Sequence, residues 1–92
     1  MQNNSIRMDL ALYEGTKGTL KLTGKELIFT SRKKNSFSIE IEKIDRLSFL
    51  MTALTTSTLY VNEKEVIVCR AHLWAADIRK LKPGIPASQL QK

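Results

Sequence analysis

The sequence predicts a mainly β fold of seven short antiparallel strands closed by one C-terminal α-helix. Three observations carry this. Apolar residues recur with a period of two from Met8 to Arg70, the spacing of half-buried strands. Turn residues separate the alternating segments. The period then changes at His72 to the spacing of an amphipathic helix. A chain of 92 residues is one small domain.

Met8 to Glu14 sets Met8, Leu10 and Leu12 against Asp9, Ala11 and Tyr13, and is the first strand. Gly15-Thr16-Lys17-Gly18 reads as a tight connection. Thr19 to Thr23 places Leu20 and Leu22 on one face and Lys21 on the other. Glu26 to Ser31 turns Leu27 and Phe29 inward. Phe37, Ile39 and Ile41 alternate with Ser38, Glu40 and Glu42. Ile44 to Met51 is the fifth strand, with Ile44, Leu47, Phe49 and Met51 inward. Ser57 to Val61 and Val66 to Arg70 are the sixth and seventh.

Residue parity sets the loops. Leu22 must oppose Leu27, which leaves Gly24-Lys25 as a two-residue turn, and glycine in first place suits type II′. In the next hairpin every inward residue is odd-numbered, so the loop is odd. Lys33-Lys34-Asn35 fits, with Asn35 left-handed. A helix between residues 17 and 50, or a parallel strand pair, runs against this scheme.

Leu73, Trp74, Ile78 and Leu81 form one stripe of a helix over 72–82, ended by Pro83-Gly84. Asp77 lies toward its start and Arg79, Lys80 and Lys82 toward its end, which suits the dipole. No residue at its start is a good N-cap. A helix of this length must dock on the sheet. The expected core is Leu20, Leu22, Leu27, Phe29, Phe37, Ile39, Ile41, Ile44, Leu59, Val61, Trp74, Ile78 and Leu81. Residues 1–7 read as a frayed terminus, 8–82 as the domain and 83–92 as a tail.

Composition excludes several classes. One cysteine allows neither an internal disulfide framework nor a multi-cysteine zinc site. An apolar content of 42% is too high for a disordered chain. No apolar run has the roughly 18 residues of a membrane span, nor does the start have the apolar stretch of a signal peptide. A soluble, cytoplasmic domain is expected. The formal charge of +6 favours anionic partners, although it also lies within the ordinary range for small domains.

Seven short strands followed by a tryptophan-bearing helix resemble the pleckstrin-homology (PH) superfold, and within it the GRAM domain and small bacterial PH-like domains. The likeness rests on Tyr13-Glu14-Gly15, Gly18-x-Leu20-x-Leu22-Thr23, Leu27-x-Phe29, Ile39-x-Ile41-x-x-Ile44, Leu59-x-Val61 and Trp74-x-x-x-Ile78. It spans about residues 9 to 82. The resemblance implies a barrel of two nearly orthogonal antiparallel sheets with the helix plugging one open end. It also implies that anionic headgroups bind at an open end, where Lys17 and Lys21 stand roughly in the place of ligand-binding lysines. The extended lysine–arginine signature across the first two strands is missing here.

Catalysis needs a nucleophile, base or metal set within reach of one another. His72 needs an oriented partner to act as a base, Cys69 reads as a small packed or half-exposed hydrophobe of the seventh strand, no phosphate-cradling glycine loop exists, and all four glycines are assigned to turns. Glu40 and Glu42 read as solvated charges sharing one strand face. Trp74 reads as a core residue, about 150–250 Å2 of aromatic surface locking the helix down, rather than a membrane anchor. The expectation is no enzyme, no cofactor and no metal.

Arg32-Lys33-Lys34 is the densest positive run, on a hairpin tip. Lys17 should lie near it, since alternate hairpin loops emerge at one end of a meander, and Lys21 adds to the patch from an outer strand face. Its plainer role is charge on a solvated tip. Glu63 and Glu65 approach the same end and would repel an anionic headgroup. Phe29 and Phe37 flank the tip but point inward, so stacking on nucleic acid is poor. Ile28, Tyr60 and Ile67 face outward; clustered, they would form a patch for a partner or a second copy. Leu54 in the loop 51–57 is a further contact candidate. A module for protein or peptide interaction is therefore expected first, and homo-oligomerisation is open. An anionic-lipid module at the membrane periphery comes second, and nucleic-acid binding third.

Overall fold

The structure, a computed structural model, describes residues 6–33, 35–52, 56–85 and 87–89. It is mainly β: seven antiparallel strands form a curled half-barrel, followed by one helix. The strands are β1 (Arg7–Tyr13), β2 (Thr16–Leu22), β3 (Glu26–Thr30), β4 (Phe37–Glu40), β5 (Leu47–Met51), β6 (Ser57–Val61) and β7 (Lys64–Val68). The helix α1 (Ala71–Leu81) follows, then a short strand β8 (Ala87–Gln89). Hydrogen bonding joins the strands in the order β4-β3-β2-β1-β7-β6-β5-β8, with β1 linking the two halves. Among the described residues no helix is long and apolar enough to cross a membrane.

The core holds ten of the thirteen expected residues fully: Leu20, Leu22, Leu27, Phe29, Ile41, Ile44, Leu59, Val61, Trp74 and Ile78. Phe37, Ile39 and Leu81 pack against it half-buried. Ala11, Leu47, Val66, Val68, Ala71, Ala75 and Ile85 complete it.

The β2–β3 and β3–β4 hairpins keep the expected registers but turn differently. Leu22 opposes Leu27 as parity requires. Gly24, however, does not take a positive φ, so the turn is not type II′. The Thr23 hydroxyl accepts the amides of Lys25 at 3.2 Å and Glu26 at 3.0 Å, which closes the turn without a left-handed residue. Phe29 opposes Phe37, so the β3–β4 loop has the expected parity. Pairing stops sooner than expected and Asn35 is not left-handed. Its side chain donates instead to Thr16 Oγ1 at 2.9 Å, drawing this loop onto β2.

The first hairpin is tighter than expected. Glu14 (φ 53°) and Gly15 (φ 78°) form a two-residue turn, and Tyr13 opposes Thr16. Thr16, Lys17 and Gly18 are therefore strand residues, not loop. A Cβ on Gly18 would lie 2.4 Å from the Thr30 carbonyl oxygen and 2.6 Å from Phe29 Cζ. That glycine serves close packing under the Phe29 ring, a role outside the turns.

Other boundaries shift for local reasons. Val61 opposes Lys64 across an Asn62-Glu63 turn, so β7 begins and ends two residues before the expected span. Asn62 is left-handed at φ 55°. Its Oδ1 accepts the amides of Asp45 (2.8 Å) and Arg46 (3.0 Å), which holds those residues out of β5. Ile41–Lys43 is a 3-10 turn, a helical element inside the interval where none is expected. Glu42 lies in that turn, so it does not share a strand face with Glu40.

The tail is structured too. Ile85 is buried, and Ala87–Gln89 pairs in parallel with Leu47–Phe49, against the expectation of antiparallel pairing alone. With β5 at the sheet edge, its open backbone groups accept any extended segment brought alongside. At the other terminus, residues 1–5 lie outside the described residues, while Arg7 opens β1 opposite Leu22.

Candidate functional site

The decisive local feature is the orientation of β1. Residues opposite each other in a ladder share a face. Arg7, Asp9 and Ala11 oppose Leu22, Leu20 and Gly18, so they look inward. The more apolar set, Met8, Leu10 and Leu12, is turned outward. Leu10 is 81% exposed and Met8 54%. On the inner side, polar residues hold the helix. The Trp74 indole Nε1 donates to Asp9 Oδ2 at 3.0 Å, and Arg7 Nε donates to Asp77 Oδ2 at 2.7 Å.

Around Leu10 the outer surface hollows into a groove of about 1020 Å3. Leu10, Leu12 and Ile67, with Ala11 and Val68, supply its apolar lining, and Thr19 and Thr30 add hydroxyls. Leu12 and Ile67 are direct partners in the β1–β7 ladder. Lys17, Arg32 and Lys33 also line it. All three are exposed. The Asn35–Thr16 hydrogen bond explains why the two basic segments converge, because it fastens the β3–β4 loop beside Lys17.

Of the five tentative binding residues, three thus share one groove. Lys21 does not line it. It stands opposite Met8 and Ile28, four residues along β2 from Lys17, or about 13 Å at strand rise. Lys34 lies outside the described residues, as does Leu54.

A second hollow of about 370 Å3 adjoins the first and shares Leu12, Gly15 and Ile67 with it. Glu14, Glu63 and Glu65 line this one. The apolar strip is therefore flanked by cations on one side and carboxylates on the other. Sequence reasoning anticipated Glu63, Glu65 and the outward Ile67. It missed Leu10 and Glu14, whose signal was the parity of β1 against Leu20 and Leu22.

Other chemically capable residues are dispersed. His72 is exposed in the first turn of α1, with its ring 6.3 Å from that of Phe49. Cys69 is exposed at the end of β7 and borders the groove. Among the described residues no group of three or more His, Cys, Asp or Glu side chains gathers to hold a metal ion. Trp74 is fully buried, which removes it as a membrane anchor. Tyr13, Phe29 and Phe37 contact one another on the inner side with centroids 4.8–5.9 Å apart, and Lys64 Nζ lies 5.0 Å from the Phe37 ring centre. Neither a known family model nor a curated protein matches the chain.

Proposed function

We propose that this chain is a non-catalytic, PH-like binding module of GRAM type, used for protein interaction or assembly. The exposed apolar strip of β1 carries the reading. A strand that folds with Leu10 in water forgoes roughly 1.5–3 kcal/mol of burial at that side chain alone. A protein partner that covers Leu10, Leu12 and Ile67 recovers it. The two-sheet description rests on β1. Its residues Ala11–Tyr13 pair with both β2 and β7, whereas Arg7–Leu10 pair with β2 only, an early parting of the ladder that supports a two-sheet reading of the single continuous sheet. The dispersed His72 and Cys69 support the non-catalytic part.

A second reading, weak attachment to anionic lipid, has the convergence of Lys17, Arg32 and Lys33 in its favour. The neighbouring Glu14, Glu63 and Glu65 weigh against it, because they meet an anionic surface as like charges. The groove lining has no aromatic side chain among the described residues, which leaves nucleic acid without a stacking platform.

Titration of isotope-labelled protein tests this, read by amide chemical shifts. One arm uses a short synthetic peptide of alternating Glu and Leu. The other uses vesicles with and without phosphatidylserine. The expected result is peptide-induced shifts at Leu10, Leu12, Lys17 and Ile67 that vanish in Leu10→Asp. Vesicle binding stronger than peptide binding and resistant to salt overturns the protein-interaction reading.

A further inference from the structure

We propose that the outer face of β1 docks a second copy of this chain about a two-fold axis lying in the interface, over Leu12 and Ile67. This rests on the binding-face reading above and names its occupant.

Charge placement carries the argument. Lys17, Arg32 and Lys33 lie on one side of the strip, and Glu14, Glu63 and Glu65 on the other. A two-fold interface is isologous, so the patch must complement itself. An axis in the plane of contact reverses one copy relative to the other. The cations of each copy then meet the carboxylates of its partner at both ends, while Leu12 and Ile67 meet their own counterparts at the centre. An apolar centre with a charged rim is the usual anatomy of an interface. A lipid surface or a polyanion matches only the basic half and leaves the acidic half against like charge. A second copy satisfies both halves.

Area is sufficient. A standard interface buries roughly 800 Å2 per partner, a modest share of the 6020 Å2 surface of one copy. Met8, Leu10 and Ile67, exposed by 54%, 81% and 41%, supply apolar contact. The formal charge of +6 on each copy opposes association at long range, so the local pairing must set the geometry.

Sedimentation velocity on the full 92-residue chain tests the proposal, with a copy mass of 10.5 kDa. The wild type is expected to form a dimer as concentration rises. Leu10→Asp weakens it by about tenfold or more, as a charge buried beside the apolar centre does. Circular dichroism checks that this surface variant stays folded. Two charge variants, Lys17→Glu/Arg32→Glu and Glu63→Lys/Glu65→Lys, each give monomers, and mixing them restores a heterodimer. A wild type that stays monomeric overturns the proposal, as does a dimer indifferent to Leu10→Asp or a mixture that fails to associate. A monomer that still binds the Glu-Leu peptide leaves the interaction reading standing. A monomer that binds neither probe removes both.

Discussion

Trp74 donates its indole N–H to Asp9 across 65 residues of chain, at 3.0 Å, and this hydrogen bond is one of the contacts that hold the polar side of β1 toward the helix and its hydrophobic residues toward water. The indole is fully buried, so its N–H needs an acceptor inside. Asp9 supplies one only if the odd-numbered side of β1 faces the helix. Met8, Leu10 and Leu12 then have nowhere to point but outward. Helix docking and the exposed strip are two consequences of one strand orientation.

Asp9→Ala leaves the buried indole N–H unpaired and is expected to cost about 1–3 kcal/mol. In thermal melts that is a fall of at least several degrees, since about 1 kcal/mol moves a domain of this size by roughly 4–8 °C. Asp9→Asn retains an acceptor oxygen and loses less. Equal melting of Asp9→Ala and wild type rules out the contact in solution.

Trp74→Ala removes the largest core side chain and is expected to cost about 3–5 kcal/mol. That is a large part of the stability of a small domain. Urea denaturation is the measurement. A midpoint unchanged from wild type means that the residue is not packed as described.

Gly18→Ala is expected to destabilise by about 1–3 kcal/mol through overpacking. The added methyl meets the Thr30 carbonyl oxygen, a backbone atom that cannot swing aside, as well as the Phe29 ring. Gly24→Ala provides the control, because a Cβ at Gly24 meets nothing within 4 Å and its φ is not left-handed. A Gly18→Ala protein as stable as Gly24→Ala contradicts the close approach.

Ser57→Ala is expected to cost about 1–2 kcal/mol and to fray the start of α1. Buried Ser57 donates to the Val68 carbonyl and accepts the Ala71 amide at 2.9 Å, thereby capping the helix from a distant strand. Hydrogen exchange at Leu73 and Trp74 reads the fraying. Unchanged protection at both amides tells against this capping role.

Charge reversal at Arg32, Lys33 and Lys34 is expected to abolish vesicle binding while leaving the melting temperature close to wild type. Each cation near an anionic surface contributes roughly 1 kcal/mol, so four with Lys17 give about 4 kcal/mol, or millimolar affinity. Co-sedimentation with phosphatidylserine vesicles over a salt series measures it. Tight, salt-resistant binding places lipid ahead of protein as the partner.

The succession of strands, the registers of the β2–β3 and β3–β4 hairpins and most of the core were legible because alternation and parity are local properties of the chain. Leu22 can oppose Leu27 on one face only through an even loop, whatever lies elsewhere. The turn types were not legible, since Thr23 and Asn35 chose their hydrogen-bond partners from nearby backbone and from β2. In the candidate site, the approach of Lys17 to Arg32 and Lys33 followed from meander topology. The acidic flank was half visible through Glu63 and Glu65.

Periodicity along the chain is enough to dictate seven strands, one helix and the inward faces of β2, β3 and β6. Tertiary structure decided what periodicity cannot encode. The alternation of β1 offers an apolar face and a mixed one, and by hydrophobicity the apolar face belongs inside. Ladder pairing to Leu20 and Leu22, together with the need of the Trp74 N–H and of Asp77 for partners, reversed it. The helix start lacked a local cap because its cap, Ser57, comes from β6. The apparent tail became an edge strand because β5 left backbone groups open beside it. In each case the deciding energy is a hydrogen bond between residues far apart in the chain, and a one-dimensional pattern does not record which distant partner a polar group will find.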